Sequence, residues 1–249
     1  MAGEDKAVIV TGGASGIGLE TARVLAGRGW EVHLLDLDQD ALRAACRELG
    51  VEDRRGMACN VADEEACAAA VADVTRRASL AAVVNCAGIG TDRPAVETEV
   101  ADFRRILDVN LIGSFVVSRT AARHWLETGR PGAIVNISSI SGIRGNKGRV
   151  AYGASKAAVN QMTLVMAAEL GRHGIRVNAV APGPIDTPLA RAVHTDDVRR
   201  QWDERVPLAR YGTTREVAGA VAFLLSEDAS YVNGQILGVD GGFLAAGLT

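Results

Sequence analysis

The sequence predicts an α/β fold, a single Rossmann-type doubly wound parallel sheet with helices on both faces. Two observations carry that expectation. Short runs that are apolar at successive positions, as in strands buried on both faces, alternate with longer helical patterns. A glycine-rich turn also joins the first run to the first helical stretch.

In chain order, 7–11, 31–35, 81–85, 133–137, 175–180 and 235–239 read as strands. Between them, 16–28, 40–49, 64–77, 100–126, 154–172 and 215–225 read as helices. The right-handed crossover rule then winds helices onto both faces of the sheet. All 249 residues are expected to form one domain, 1–249, because α/β units often reach this size. The longest irregular stretch, 182–207, opens with Pro182, Pro184 and Pro188 and continues into a charged helical part at 196–205. Open α/β sheets bind ligands beyond the carboxyl ends of their strands, so 184–205 is expected to be a lid over a site.

Composition narrows the function. Lys and Arg number 27 against 30 Asp and Glu, a net charge of -3. Nucleic-acid binding, which favours a basic excess, gains no support. No apolar segment approaches bilayer-spanning length, and the acidic start lacks the basic flank of a signal peptide. Cys46, Cys59, Cys67 and Cys86 show no metal-ligand spacing and are too few for a disulfide scaffold; reduced thiols in a cytoplasmic protein are expected. His33, His124, His173 and His194 are not paired for metal either, so no metal is expected. Trp30 and Trp125 read as packing anchors.

The turn itself is Thr11-Gly12-Gly13-Ala14-Ser15-Gly16-Ile17-Gly18. Glycines let the backbone turn sharply and approach a ligand closely, and the helix that follows offers unpaired N–H groups to a pyrophosphate. Asp36 ends the second strand, where an acid accepts hydrogen bonds from ribose hydroxyls and repels a 2′-phosphate. Neither Ser15 nor Leu37 supplies a cation for such a phosphate, so the expected cofactor is NAD rather than NADP.

Four further segments make the chain resemble the short-chain dehydrogenase/reductase family. They are Asn85-Cys86-Ala87-Gly88, Ser138-Ser139, Tyr152-Gly153-Ala154-Ser155-Lys156 and Pro182-Gly183-Pro184-Ile185-Asp186-Thr187. The ordered set spans essentially the whole chain, down to Val239-Asp240-Gly241-Gly242. The resemblance implies seven strands, a homotetramer, and roles for matching residues. Ile17 and the glycines would contact the pyrophosphate, Asn60 and Val61 flank the adenine, and Asn85, Ala87 and Gly88 line the cofactor floor. Pro182, Gly183, Ile185 and Thr187 would meet the nicotinamide side, and Asn110 matches the family's catalytic-helix asparagine. Two positions depart from the family pattern: Asn60 where Asp is usual, and Cys86 where a second Asn is usual.

Hydride loss from a carbinol carbon needs the hydroxyl proton removed in step, and an ordinary tyrosine, with a pKa of about 10, is a poor base near neutrality. Tyr152 and Lys156, four apart, share one face of a helix. The ammonium of Lys156, with the charge of an oxidised nicotinamide, is expected to lower the Tyr152 pKa by about 2 to 3. Ser139, at the end of the fifth strand, can hold the substrate oxygen beside Tyr152. By resemblance, Lys156 also holds the nicotinamide ribose, and Asn110 orients a water that links Lys156 to solvent. Ser141, Arg144, Asn146, Arg149, Leu189, His194 and Trp202 are weaker candidates for substrate contact. The expected reaction interconverts a small secondary alcohol (sugar, polyol, cyclic diol or hydroxy acid) and its ketone. Gly145-Asn146 leaves open a 3-oxoacyl-carrier-protein-reductase-like enzyme, and the fold alone leaves open a non-catalytic nucleotide sensor.

Overall fold

In the computed structural model, which describes residues 6–193 and 195–246, seven parallel strands lie in the order β3-β2-β1-β4-β5-β6-β7. They are β1 (Lys6–Thr11), β2 (Glu31–Asp36), β3 (Gly56–Ala58), β4 (Ser79–Asn85), β5 (Gly132–Ile137), β6 (Ile175–Pro182) and β7 (Ile236–Val239). The strand order reverses between β1 and β4, which opens a crevice at their carboxyl ends.

Alternate residues of each strand serve opposite layers. Ala7 and Ile9 of β1 face a core shared with α3 (Glu64–Arg77), α5 (Ser114–Thr128) and α6 (Val150–Leu170). Val8 and Val10 face the other core, closed by α1 (Gly16–Ala26), α2 (Gln39–Leu49) and α9 (Thr214–Leu225). Trp125 anchors the first layer: it is fully buried and its indole N–H donates to the Leu80 carbonyl over 2.7 Å. Trp30 is partly buried against the second.

Three differences from the expected elements bear on the site. The six strands read from the sequence are joined by β3, only three residues long. The helix expected at 100–126 is broken: α4 (Val100–Leu107) leads into a π-helical turn, Asp108–Gly113, before α5. Asn110 lies within that wider turn. Finally, α6 begins at Val150 rather than at 154, so Tyr152 stands in its first turn. Beyond β6, α7 (Pro188–Val193) and α8 (Asp196–Arg205) occupy the stretch expected to form a lid.

Candidate active site

A cleft of about 920 Å³ runs along the carboxyl edge of the sheet. One end is built from the glycine turn. Gly12 has φ +63°, and a Cβ there would stand 2.9 Å from the Ala87 backbone. Side chains are therefore excluded, and β1 approaches the β4 end closely, where Thr11 Oγ1 accepts from the Cys86 and Ala87 N–H groups (3.0 and 3.1 Å). A Cβ on Gly18 would come within 2.0 Å of the Gly12 carbonyl oxygen, so Gly18 packs α1 onto the turn and does not line the cleft. Ser15 precedes α1 with no side-chain cap on its first-turn N–H groups. Those donors and the glycine cradle fit an anionic pyrophosphate.

The Asp36 carboxylate accepts from Ala14 N–H (3.1 Å) and Leu37 N–H (2.8 Å), which fixes its charge at the edge of the same cleft. Ser15, Gly16, Ile17, Leu37, Asn60, Val61, Ala87, Gly88, Pro182, Gly183, Ile185 and Thr187 line it as well. Asn85 does not. Its amide turns beneath the sheet and donates to Ser118 Oγ (2.7 Å) and Asn136 Oδ1 (2.8 Å), so the expected place on the cofactor floor is corrected to a buried polar network.

At the other end Ser139, Tyr152 and Lys156 converge. Ser139 Oγ accepts from Ser141 N–H (3.1 Å) at the start of the turn after β5. Lys156 is 4% exposed, and its ammonium donates to the Ile137 carbonyl over 2.7 Å, 5.7 Å from the Tyr152 ring centroid. The two elements are clamped: Ser138 Oγ donates to the Lys156 carbonyl (3.2 Å) and to Asn160 Oδ1 (2.5 Å), and Asn160 Nδ2 to the Gly142 carbonyl (3.2 Å). A Cβ on Gly142 would lie 2.6 Å from the Lys156 backbone. Sequence reasoning missed this clamp, although Ser138 was part of the motif.

Asn110 is wholly buried and its amide is engaged. It accepts from Ile89 N–H (2.8 Å) and donates to the Ile89 carbonyl (2.9 Å) and Ser155 Oγ (3.0 Å). Gly88 lies over both groups, since a Cβ there would sit 3.3 Å from Asn110 Oδ1 and 3.5 Å from Lys156 Nζ.

Burial dominates the electrostatics here. Burial pushes the Tyr152 phenol above its ordinary value, outweighing the Ser139 hydroxyl and the Arg149 charge, which pull it down. Burial also lowers Lys156 to about 8. Within the polypeptide alone, desolvation of the phenolate exceeds the help from the Arg149 charge; the expected depression also counts the charge of an oxidised nicotinamide.

Of the weaker candidates, Ser141, Asn146, Arg149 and Trp202 line the cleft, with Asn146 donating to Ser141 Oγ (3.0 Å). Arg144 does not; its guanidinium lies over the Phe243 ring at 5.6 Å. Trp202 meets the same ring edge-on at 5.1 Å, so α8 rests on the carboxyl-terminal segment. Leu189 falls in α7 with its side chain outside the described residues, and His194 lies outside them altogether. Among the described residues no group of three or more His, Cys, Asp or Glu could hold a metal ion, and no helix is long and apolar enough to cross a membrane.

The family model described as enoyl-(acyl carrier protein) reductase matches residues 12–244. A galactitol 2-dehydrogenase (L-tagatose-forming) from Cereibacter sphaeroides is 41% identical over 94% of this chain and 93% of its own length. A 3-oxoacyl-(acyl-carrier-protein) reductase from Thermotoga maritima is 38% identical over 97% of this chain and 98% of its own. Among solved structures, a protein assigned by inference as an NAD(P)-dependent gluconate 5-dehydrogenase from Beutenbergia cavernae, with bound NADP at low occupancy, superposes with TM-score 0.92. It is 34% identical, and the match covers 98% of both chains.

Proposed function

This chain belongs to the short-chain dehydrogenase/reductase family, and on that premise we propose that it is an NAD(H)-dependent enzyme interconverting a small secondary alcohol and its ketone through Tyr152. The observation that carries the reading is the convergence of Ser139, Tyr152 and Lys156 on a cleft whose far end is the glycine turn and Asp36. Bound there, the nicotinamide supplies the hydride acceptor, or the donor in reverse. The chain's own residues manage the proton. Tyr152 takes it from the carbinol oxygen, Ser139 holds that oxygen in place, and the Lys156 ammonium stabilises the phenolate. Because burial raises the phenol, the positive charge of an oxidised dinucleotide adds the stabilisation that Ser139 and Arg149 leave incomplete. Asn110 braces the Ile89 segment and Ser155 beneath the pair.

NAD is favoured over NADP by the fixed Asp36 carboxylate, which repels a 2′-phosphate, with no cation at Ser15 or Leu37 to offset it. The similarity to a galactitol dehydrogenase supports a polyol-sized alcohol. A reductase of 3-oxoacyl groups is the second reading. The 38% identity to such an enzyme and the Gly145-Asn146 element favour it, and Asp36 opposes it where NADPH is the donor. We take the whole chain as one catalytic unit with 184–205 as its lid. Exposed Ile112, Phe115, Leu164 and Val165 support a homotetramer, and four free thiols support a cytoplasmic setting.

The test is Tyr152→Phe, assayed on alcohols and sugars with NAD and on ketones with NADH. Turnover is expected to fall by about a thousandfold or more while dinucleotide affinity, read by fluorescence titration, stays within about threefold. Near wild-type turnover in that variant overturns the assignment.

A further inference from the structure

The cleft carries a cation that steadies the phenolate but neither gives nor takes a proton in the relay. Arg149 stands three residues before Tyr152, at the residue that precedes α6, and its side chain is only 17% exposed. Its guanidinium lies 5.6 Å from the Tyr152 ring centroid. Gly90 packs against both, since a Cβ there would fall 3.1 Å from Tyr152 Cδ2 and 3.4 Å from Arg149 Nη1. Among the described residues its one acidic partner is Asp92, at 3.8 Å, half exposed and beyond hydrogen-bonding reach. Among the described residues the five guanidinium N–H donors thus have one distant ion partner and no hydrogen bond.

This placement is built into the backbone. Gly148 has φ +75°, and a Cβ there would lie 1.9 Å from Asp92 Oδ1. The positive φ favours glycine at this turn, and the Arg93 N–H donates to the Gly148 carbonyl over 3.0 Å, which ties the segment carrying Asp92 to the residue before Arg149. Two further cations, Lys147 and Arg205, line the same end from the rim, each without an ion partner among the described residues. The dinucleotide's own phosphates are provided for elsewhere, at the glycine turn and the start of α1.

Resting on the reading of the site given above, we infer that Arg149 determines specificity by holding a carboxylate carried on the substrate, so that the alcohol oxidised is a hydroxy acid and the product a keto acid. A planar guanidinium with free donors, largely withdrawn from water and beside the proton acceptor, pairs bidentately with a carboxylate and gives nothing comparable to a neutral hydroxymethyl group. Lys147 and Arg205 draw the anion to the cleft.

The experiment compares matched pairs with NAD: gluconate with glucitol, 3-hydroxybutyrate with butane-1,3-diol, and 4-hydroxycyclohexanecarboxylate with 4-(hydroxymethyl)cyclohexanol. For at least one pair the acid is expected to exceed its neutral partner about tenfold or more in kcat/KM. In Arg149→Met that ratio falls toward one, and in Arg149→Lys, which keeps the charge but loses the fork, part of it survives. Isothermal titration of the same acids into Tyr152→Phe saturated with NAD reads the same preference without turnover. Should Arg149→Met fail to melt cooperatively, Arg149→Lys carries the comparison alone. Turnover of neutral alcohols in preference to every acid, or an acid preference unchanged in both variants, overturns this inference and leaves the dehydrogenase reading intact. No turnover of any alcohol or ketone with either dinucleotide removes both.

Discussion

Lys156→Met is expected to make the protein more stable while abolishing its activity. The ammonium is 4% exposed, and burial brings its pKa from 10.5 down to about 8. At 1.36 kcal/mol per pH unit, keeping the proton on the buried group costs about 3 kcal/mol below pH 8. Methionine is close in length, removes that cost and fills the same space. Losing the bond to the Ile137 carbonyl, and leaving that carbonyl unpaired, takes back about 1 to 2 kcal/mol. A net gain of about 1 to 2 kcal/mol at pH 6.5 remains.

The pH dependence separates this account from a general packing effect. Below pH 8 the folded and unfolded chains both hold the lysine proton, and the penalty is present in full. Between pH 8 and 10.5 the unfolded chain keeps a proton that the folded chain has lost, so wild-type stability rises with pH. Between pH 6.5 and 9.5 the variant's advantage should therefore shrink by about 2 kcal/mol. Burial raises Cys46 and Cys86, and Cys86 to about 12, which lowers stability as pH rises through the ordinary thiol range. That contribution is shared by wild type and variant and largely cancels in the difference. Urea unfolding of both proteins without added dinucleotide, at several pH values across this range, measures it. A variant less stable at pH 6.5, or an advantage that does not vary with pH, refutes the reasoning.

Exchanging the Asp36 charge should change the cofactor. Asp36→Ala with Leu37→Arg is expected to raise kcat/KM for NADP relative to NAD by about a hundredfold, measured by initial rates with each dinucleotide; an unchanged ratio contradicts the reading of Asp36. For alcohol oxidation, kcat/KM should rise with pH as the phenol ionises. The groups facing Tyr152 are Ser139, Arg149, Lys156 and the Cys86 thiol. Removing one cation with Arg149→Gln should move that limb up by about one pH unit, and a downward shift would show that Arg149 does not act on the phenol.

Much of the fold was legible because strands buried on both faces announce themselves as short apolar runs, and because each was long enough to stand out. The Gly56–Ala58 strand was not: three residues with one buried position carry no period. The helical pattern from Val100 to Leu126 was read straight through Asp108–Gly113, because six residues are too few for the one-residue slip of a π turn to show as a change of period. The site was legible in residue identity but not in environment. Asn85 sits at a strand's end in the sequence like a floor residue, yet its partners Ser118 and Asn136 come from distant segments. The burial of the Tyr152 phenol was out of reach for the same reason. Spacing places a lysine beside it, but how far protein atoms exclude water is a property of the assembled fold.

That assembled environment explains why the clamp between β5 and α6 matters. A buried ammonium is costly, and it would relax toward solvent if α6 could tilt away from the sheet. It is held by contacts in which the chain leaves no room for a side chain: Gly142 against the Lys156 backbone, and Gly153 against the Ser141 carbonyl, where a Cβ would lie 2.9 Å away. Ser138 and Asn160 then tie the backbone at the same place. Ser139, Tyr152 and Lys156 thus owe their mutual position to backbone-to-backbone approach as well as to the contact between the Ser139 and Tyr152 hydroxyls. A group that must exchange protons with a substrate keeps its hydroxyl available only if something else fixes where it stands.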